Sequence, residues 1–247
     1  DEWRMAHQER SHDLRPDVLA VRGSVRIDPG RALEIDVTLS MTTPPGEALT
    51  SLLWTLNPGL VVEQVTVDNT PTEWLHDQGL LDVDAVVAAN TTSTLRIVAS
   101  GLPNATFGYL DSAIDVQSLT PTEAEAFQML GFMPGLFDQS YVALMPGIRW
   151  LPSAGADTPN GDARTHPPDY FSVDITVEVP EDWLVAGPGR RTRLSESDSP
   201  SDRVRFVFRP PSPVPALALL ASSFERRSLD IDGVTFEILL SPKHLGN

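Results

Sequence analysis

The 247-residue chain contains no cysteine. That absence removes disulfides, thiol nucleophiles and cysteine-ligated zinc together. Cations are also scarce. Arginine and lysine number 18 against 34 acids, Lys243 is the only lysine, and the formal charge is −16. Binding to nucleic acid draws on clustered cations that neutralise phosphates, and a polybasic membrane surface needs the same clusters, so both classes of partner are excluded. No run of 18 or more apolar residues is present. The opening Asp1-Glu2-Trp3-Arg4 has neither the basic nor the apolar region of a signal peptide. As it stands the piece is expected to be soluble.

The common catalytic signatures are missing too. There is no Gly-x-Ser-x-Gly elbow, no phosphate loop and no dinucleotide fingerprint. A zinc site on a helix needs two histidines at i and i+4, so that both imidazoles reach one ion. His7, His12, His76, His166 and His244 never show that spacing, and His7 and His12, in a polar stretch, read as exposed surface residues. With 34 acids some carboxylate pair will fall within glycosidase range by accident, and nothing singles one out. The sequons at Asn90 and Asn104 read as chance occurrences. Trp54, in an apolar run, and Trp183, at a strand end, read as core residues before they read as a carbohydrate platform.

What is abundant is alternation. Leu33, Ile35, Val37, Leu39 and Met41 alternate with polar residues, as do Phe171 to Val179, Val204 to Phe208 and Val234 to Leu240. Successive strand side chains point to opposite faces, so this period marks antiparallel strands with one buried and one wet face. Shorter apolar runs at 52–56, 60–67, 80–87, 95–99 and 216–221 fit further strands. Asp230-Ile231-Asp232-Gly233 reads as a hairpin turn rather than a calcium loop, because the remaining calcium ligands are absent. One helix has a full start signal: Thr120 as N-cap, Pro121 at the first position and Glu123 at the third predict a short helix over 121–130, stopped by Gly131. The expectation is an all-β chain, an antiparallel sandwich or saddle over 1–247, with an irregular crossover between Gly131 and Pro168.

The second half carries a resemblance. Trp150-Leu151-Pro152 is followed by Asp169 to Pro180, ending Val177-Glu178-Val179-Pro180, and then by Trp183-Leu184-Val185-Ala186-Gly187. This block resembles the N-terminal β domain of the aminopeptidase N family of zinc metallopeptidases. Phe224 to Ile238 and on to His244 is similar to its closing hairpins, and Val18–Ile27, Arg31–Met41, Leu60–Val67 and Leu95–Ala99 follow the order of its opening ones. Gln8–Pro29, Gly135–Asp138 and Met145–Ile148 are most similar to a variant fused behind the membrane helices of bacterial ABC-type transporter permeases.

The resemblance implies an antiparallel domain that packs on a catalytic zinc domain and walls one side of its cleft. The family's His-Glu-x-x-His and Gly-x-Met-Glu-Asn motifs do not occur in this chain, which stops about where that domain would begin. The chain alone is therefore expected to bind no catalytic zinc and to hydrolyse no peptide. The full-length parent is expected to be a zinc aminopeptidase acting on peptide substrates, attached in the permease variant to a membrane and holding this domain outside the cytoplasm. The family's N-terminal domain lends one Gln or Glu that hydrogen-bonds the substrate's free amine. Gln139 is the nearest candidate, about two residues too far from Pro152, and an ungapped match places Tyr141 there instead. The competing classes are a free-standing carbohydrate- or protein-binding sandwich and the scaffold domain of a degenerate peptidase.

Overall fold

A computed structural model describes residues 2–109, 120–122, 135–156, 169–195 and 202–240. It opens with helix α1 (Glu2–Glu9). Strands follow as β1 (Asp17–Asp28), β2 (Ala32–Thr42), β3 (Leu52–Thr55), β4 (Leu60–Val67), β5 (Thr70–Pro71), β6 (Trp74–Asp77), β7 (Leu80–Val83) and β8 (Thr92–Gly101). The second half contributes β9 (Gly135–Phe137), β10 (Tyr141–Leu144), β11 (Ser153–Ala154), β12 (Ser172–Pro180), β13 (Leu184–Ala186) and β14 (Arg191–Arg193). It ends with β15 (Arg203–Phe208), β16 (Leu219–Ser222), β17 (Glu225–Ile231) and β18 (Val234–Leu240).

Eight strands form one large sheet in the order β14-β15-β12-β1-β2-β8-β4-β5. Two four-stranded sheets, β13-β16-β10-β9 and β11-β3-β7-β6, supply side chains to the same core. The alternation predicts the large sheet well. Leu33, Ile35, Val37, Leu39 and Met41 of β2 are all buried, as are Val173, Ile175, Val177 and Val179 of β12. The intervening positions make a wet face laced with ion pairs. Arg96 grips Asp36 through two nitrogens at 2.7 and 2.8 Å, and Arg203 reaches Asp28 at 2.6 Å. Trp54 and Trp183 are core residues as expected, and Trp150 joins them.

The structure departs from the expectation in three places, and one expected helix is described only in part. The large sheet is not wholly antiparallel, since β1 and β12 pair in parallel from Ala20–Ser172 to Arg26–Glu178. A parallel pair needs a long crossover, and the chain between those strands provides one. The second departure is α1, a helix where none is expected, held by tertiary contacts. Its Trp3 and His7 meet the Phe107 ring edge-on at 5.1 and 5.8 Å. His7, expected at the surface, is fully buried, with Nε2 3.1 Å from the Gln78 carbonyl, while His12 is exposed as expected. Of the helix expected over 121–130, Pro121 and Thr122 are helical and the rest lies outside the described residues. Third, among the described residues β17 and β18 pair only with each other, around the expected turn at Asp232 and Gly233, whose φ values of 51° and 80° suit a two-residue hairpin loop. Every residue of that hairpin is exposed except Leu239 and Leu240, which are half-buried.

Candidate functional site

The two residues nominated for substrate binding sit at one end of the β13-β16-β10-β9 sheet. Asp138, Gln139 and Ser140 turn the chain from β9 into β10, and Tyr141 is the first residue of β10. The turn is closed locally. The Asp138 carboxylate accepts from the Ser140 backbone N–H and hydroxyl, both at 2.9 Å, and the Asp138 N–H donates to the Tyr141 carbonyl at 2.9 Å. Asp and Ser favour turns for this reason, because their short side chains satisfy nearby backbone groups. From the neighbouring strand the buried Ser222 hydroxyl donates to the Ser140 carbonyl at 2.7 Å, which ties the turn to β16.

Gln139 points away from this closed network. It is exposed, and among the described residues its amide has no hydrogen-bond partner. Its stem lies over Gly30, in the β1–β2 turn: a Cβ on Gly30 would come within 2.5 Å of Gln139 Cγ, and Gly30 has φ +68°. Glycine at position 30 therefore serves both the tight turn and the approach of Gln139. Tyr141 is half-buried, lies opposite Ser222 across the ladder, and meets Phe224 edge-on at 6.1 Å. Burial pushes its phenol above the usual tyrosine range, so at neutral pH it is a hydrogen-bond donor. The turn thus presents one free amide beside one protonated phenol, a pair able to hydrogen-bond a polar ligand but not to take a proton from one.

Other titratable groups have structural explanations. His76 is pulled below the usual histidine range mainly by burial, and its Nε2 lies 3.2 Å from the Leu56 carbonyl. Asp169, just ahead of β12, is raised to about 6 chiefly by burial. It accepts from the Val18 N–H at 3.3 Å, with Asp17 and Arg15 beside it, and so fastens the entry to the parallel β1–β12 pair. Among the described residues no three His, Asp or Glu side chains converge as metal ligands.

One residue that the sequence marks only as a turn former organises the loops behind this sheet. Asn57 is fully buried; its Nδ2 donates to the Ile148 carbonyl at 2.6 Å and the Asn104 carbonyl at 3.0 Å, and its Oδ1 accepts from the Gly59 and Asn104 N–H groups at 2.9 and 2.8 Å. Ile148 belongs to the segment that runs from β10 to the Trp150-Leu151-Pro152 motif. No signal in the chain distinguishes Asn57-Pro58-Gly59 from an ordinary turn, because its partners lie 47 and 91 residues away.

Comparison with protein-family models and with curated proteins finds no match. Solved structures do match. Over 90% of its length the chain is similar to the M1 zinc metallopeptidase from Deinococcus radiodurans, at 20% identity and a TM-score of 0.62. It is similar over the same share to a point mutant of that metallopeptidase bound to a Tyr-Ser-Ala substrate, at 19% and 0.63. It also matches Legionella pneumophila aminopeptidase A in complex with aspartic acid over 95% of its length, at 12% and 0.65. The chain spans 46% of the Deinococcus chains and 25% of the Legionella chain. At these identities the likeness is one of fold. None of these structures is described as a permease, and among the described residues no helix is long and apolar enough to cross a membrane.

Proposed function

We propose that this chain is a non-catalytic N-terminal β domain of an aminopeptidase N-like zinc metallopeptidase, which packs on a catalytic zinc domain and forms one wall of its cleft. The observation that supports the reading is the fold, shared with M1 metallopeptidase chains over nine-tenths of this one and less than half of theirs. The described residues do not fit a zinc site. Zinc in the parent would belong to the other domain, where it supplies a polarising charge and an activated water for peptide hydrolysis. No step of that reaction is assigned to residues of this chain.

Within the wall, Gln139 is the proposed contact for the free amine of a peptide substrate, its side-chain oxygen accepting from the ammonium group. Its support is that the amide is exposed and unpartnered on a turn otherwise closed by its own hydrogen bonds. Tyr141, two residues on, is the alternative contact through its phenol oxygen. The test is the parent polypeptide. Its sequence beyond Asn247 should show His-Glu-x-x-His within about a hundred residues, and the protein should release N-terminal residues from peptides in a zinc-dependent way. A parent with neither property overturns the reading.

A further inference from the structure

The polar face of the β17–β18 hairpin looks back at the body of the molecule. Residues directly opposite in an antiparallel ladder share a face, and faces alternate along each strand, so Arg226 and Glu237 lie on one side of the hairpin. They form one wall of a cleft of about 560 Å³ whose other wall includes Arg190, Arg191, Arg193 and Phe206. Four guanidinium groups thus face one carboxylate, in a chain whose formal charge is −16. The neighbouring depression shares Arg193 and has the reverse balance, with Glu181, Asp182 and Asp202 along its lining. Charge is therefore sorted by sign over this surface, and the cleft is its positive part.

Arg191 of β14 is held rigidly at the floor of the cleft. One terminal nitrogen donates to the Val185 carbonyl at 2.9 Å and the other to Glu237 at 2.8 Å. Its guanidinium lies 5.7 Å from the Phe206 ring centroid, and its side chain is only 13% exposed. Glu237 also pairs with Arg226 Nε, so a single carboxylate serves two cations. Arg190 and Arg193 are exposed, and among the described residues neither has an acceptor. A guanidinium stays charged at every pH a protein meets, so three positive charges in the cleft are left without a counter-charge. Concave walls of one sign concentrate small ions of the other. The forked donors of arginine match the oxygen edges of a phosphate, which offers three acceptor oxygens and up to two negative charges where a carboxylate offers two oxygens and one.

We propose that the cleft between β14 and the β17–β18 hairpin is a binding site for a small phosphate-bearing anion, gripped by Arg190, Arg193 and Arg226, with Arg191 and Glu237 setting the geometry. Titration calorimetry of the 247-residue chain with inorganic phosphate, glycerol phosphate and pyrophosphate tests it. Pyrophosphate should bind about tenfold more tightly than phosphate, because its second group reaches a further guanidinium. Glycerol phosphate that binds as phosphate does supports an ester as the ligand, and glycerol phosphate that does not bind supports the free oxyanion. Replacing Arg190 and Arg193 together by alanine should weaken pyrophosphate binding by about tenfold to a hundredfold, and both are exposed, so the fold should survive. The control replaces Arg22 and Arg209, exposed residues outside the cleft, by alanine; it removes the same charge and should leave binding unchanged. Glu237→Gln removes the competing carboxylate and should tighten binding by about fivefold, a gain that a damaged fold does not produce. No binding of any of the three anions at millimolar concentration overturns the proposal. So does undiminished binding in the Arg190 and Arg193 variant, or an equal loss in the Arg22 and Arg209 control, which would reduce the effect to net charge.

Discussion

Replacing Asn57 by alanine should be among the most damaging single substitutions in this fold. The side chain is fully buried and makes four hydrogen bonds, two as donor to the Ile148 and Asn104 carbonyls and two as acceptor from the Gly59 and Asn104 N–H groups. Alanine removes all four and leaves their partners unpaired. A fully buried orphan costs about 1–3 kcal/mol and a partly buried one less. The bond to Ile148 is buried and the other three partly so. The expected loss is therefore about 3–5 kcal/mol, near the upper end for a point mutant. For a chain of this size that corresponds to a fall in Tm of about 10 °C. Urea unfolding followed by tryptophan fluorescence gives the free energy directly, because Trp54 and Trp150 are buried. Asn57→Asp sharpens the test. It keeps both acceptor bonds but aims a carboxylate oxygen at two carbonyls, so relative to the parent sequence it should be worse at pH 7 than at pH 4.5, where a protonated acid can still donate one bond. An alanine loss below about 1 kcal/mol with an unchanged urea slope would refute the hub reasoning.

In a full-length parent, Gln139→Ala should raise KM for peptides with a free amine by about tenfold to a hundredfold, the worth of a hydrogen bond to a charged group, and leave metal content unchanged. Unchanged KM assigns Gln139 to the turn alone. Gly30→Ala should lower stability by about 1–3 kcal/mol in chemical denaturation, because its φ is +68° and the new methyl meets Gln139 Cγ at 2.5 Å; a neutral result would show that the turn can shift freely. Asp169 has its folded pKa raised from 3.8 to about 6, so the folded state holds that proton more tightly than the unfolded chain does. Its contribution favours folding below about pH 4 and is withdrawn as pH rises to about 6. Asp169→Asn should therefore gain thermal stability relative to the unsubstituted chain between pH 4 and 6.5, and a difference in Tm that stays flat over that range would reject the burial of this carboxyl.

The large sheet is legible because its rule is local. Alternation along β2, β12 and β15 reports which side chains face inward, and those residues are buried. The same alternation in Val234 to Leu240 identifies a strand and misstates its surroundings: the period says that one face is apolar, while only packing decides whether that face meets this chain's own core or another surface. His7 shows the converse. Its neighbours are polar, and Phe107 and Gln78, which bury it, lie far along the chain.

Composition and motif content determine without coordinates that this chain has no thiol and a formal charge of −16, and its period-two pattern makes it all-β. Those are properties of residue types and nearest neighbours. The tertiary structure alone decides that β1 runs parallel to β12, that Asn57 joins three loops, that Gln139 is exposed over Gly30, and that the last hairpin turns its polar face inward. Each of these depends on groups brought together from distant parts of the chain. Their energies come from burial and from satisfying buried polar groups, which exist only once the chain has closed on itself.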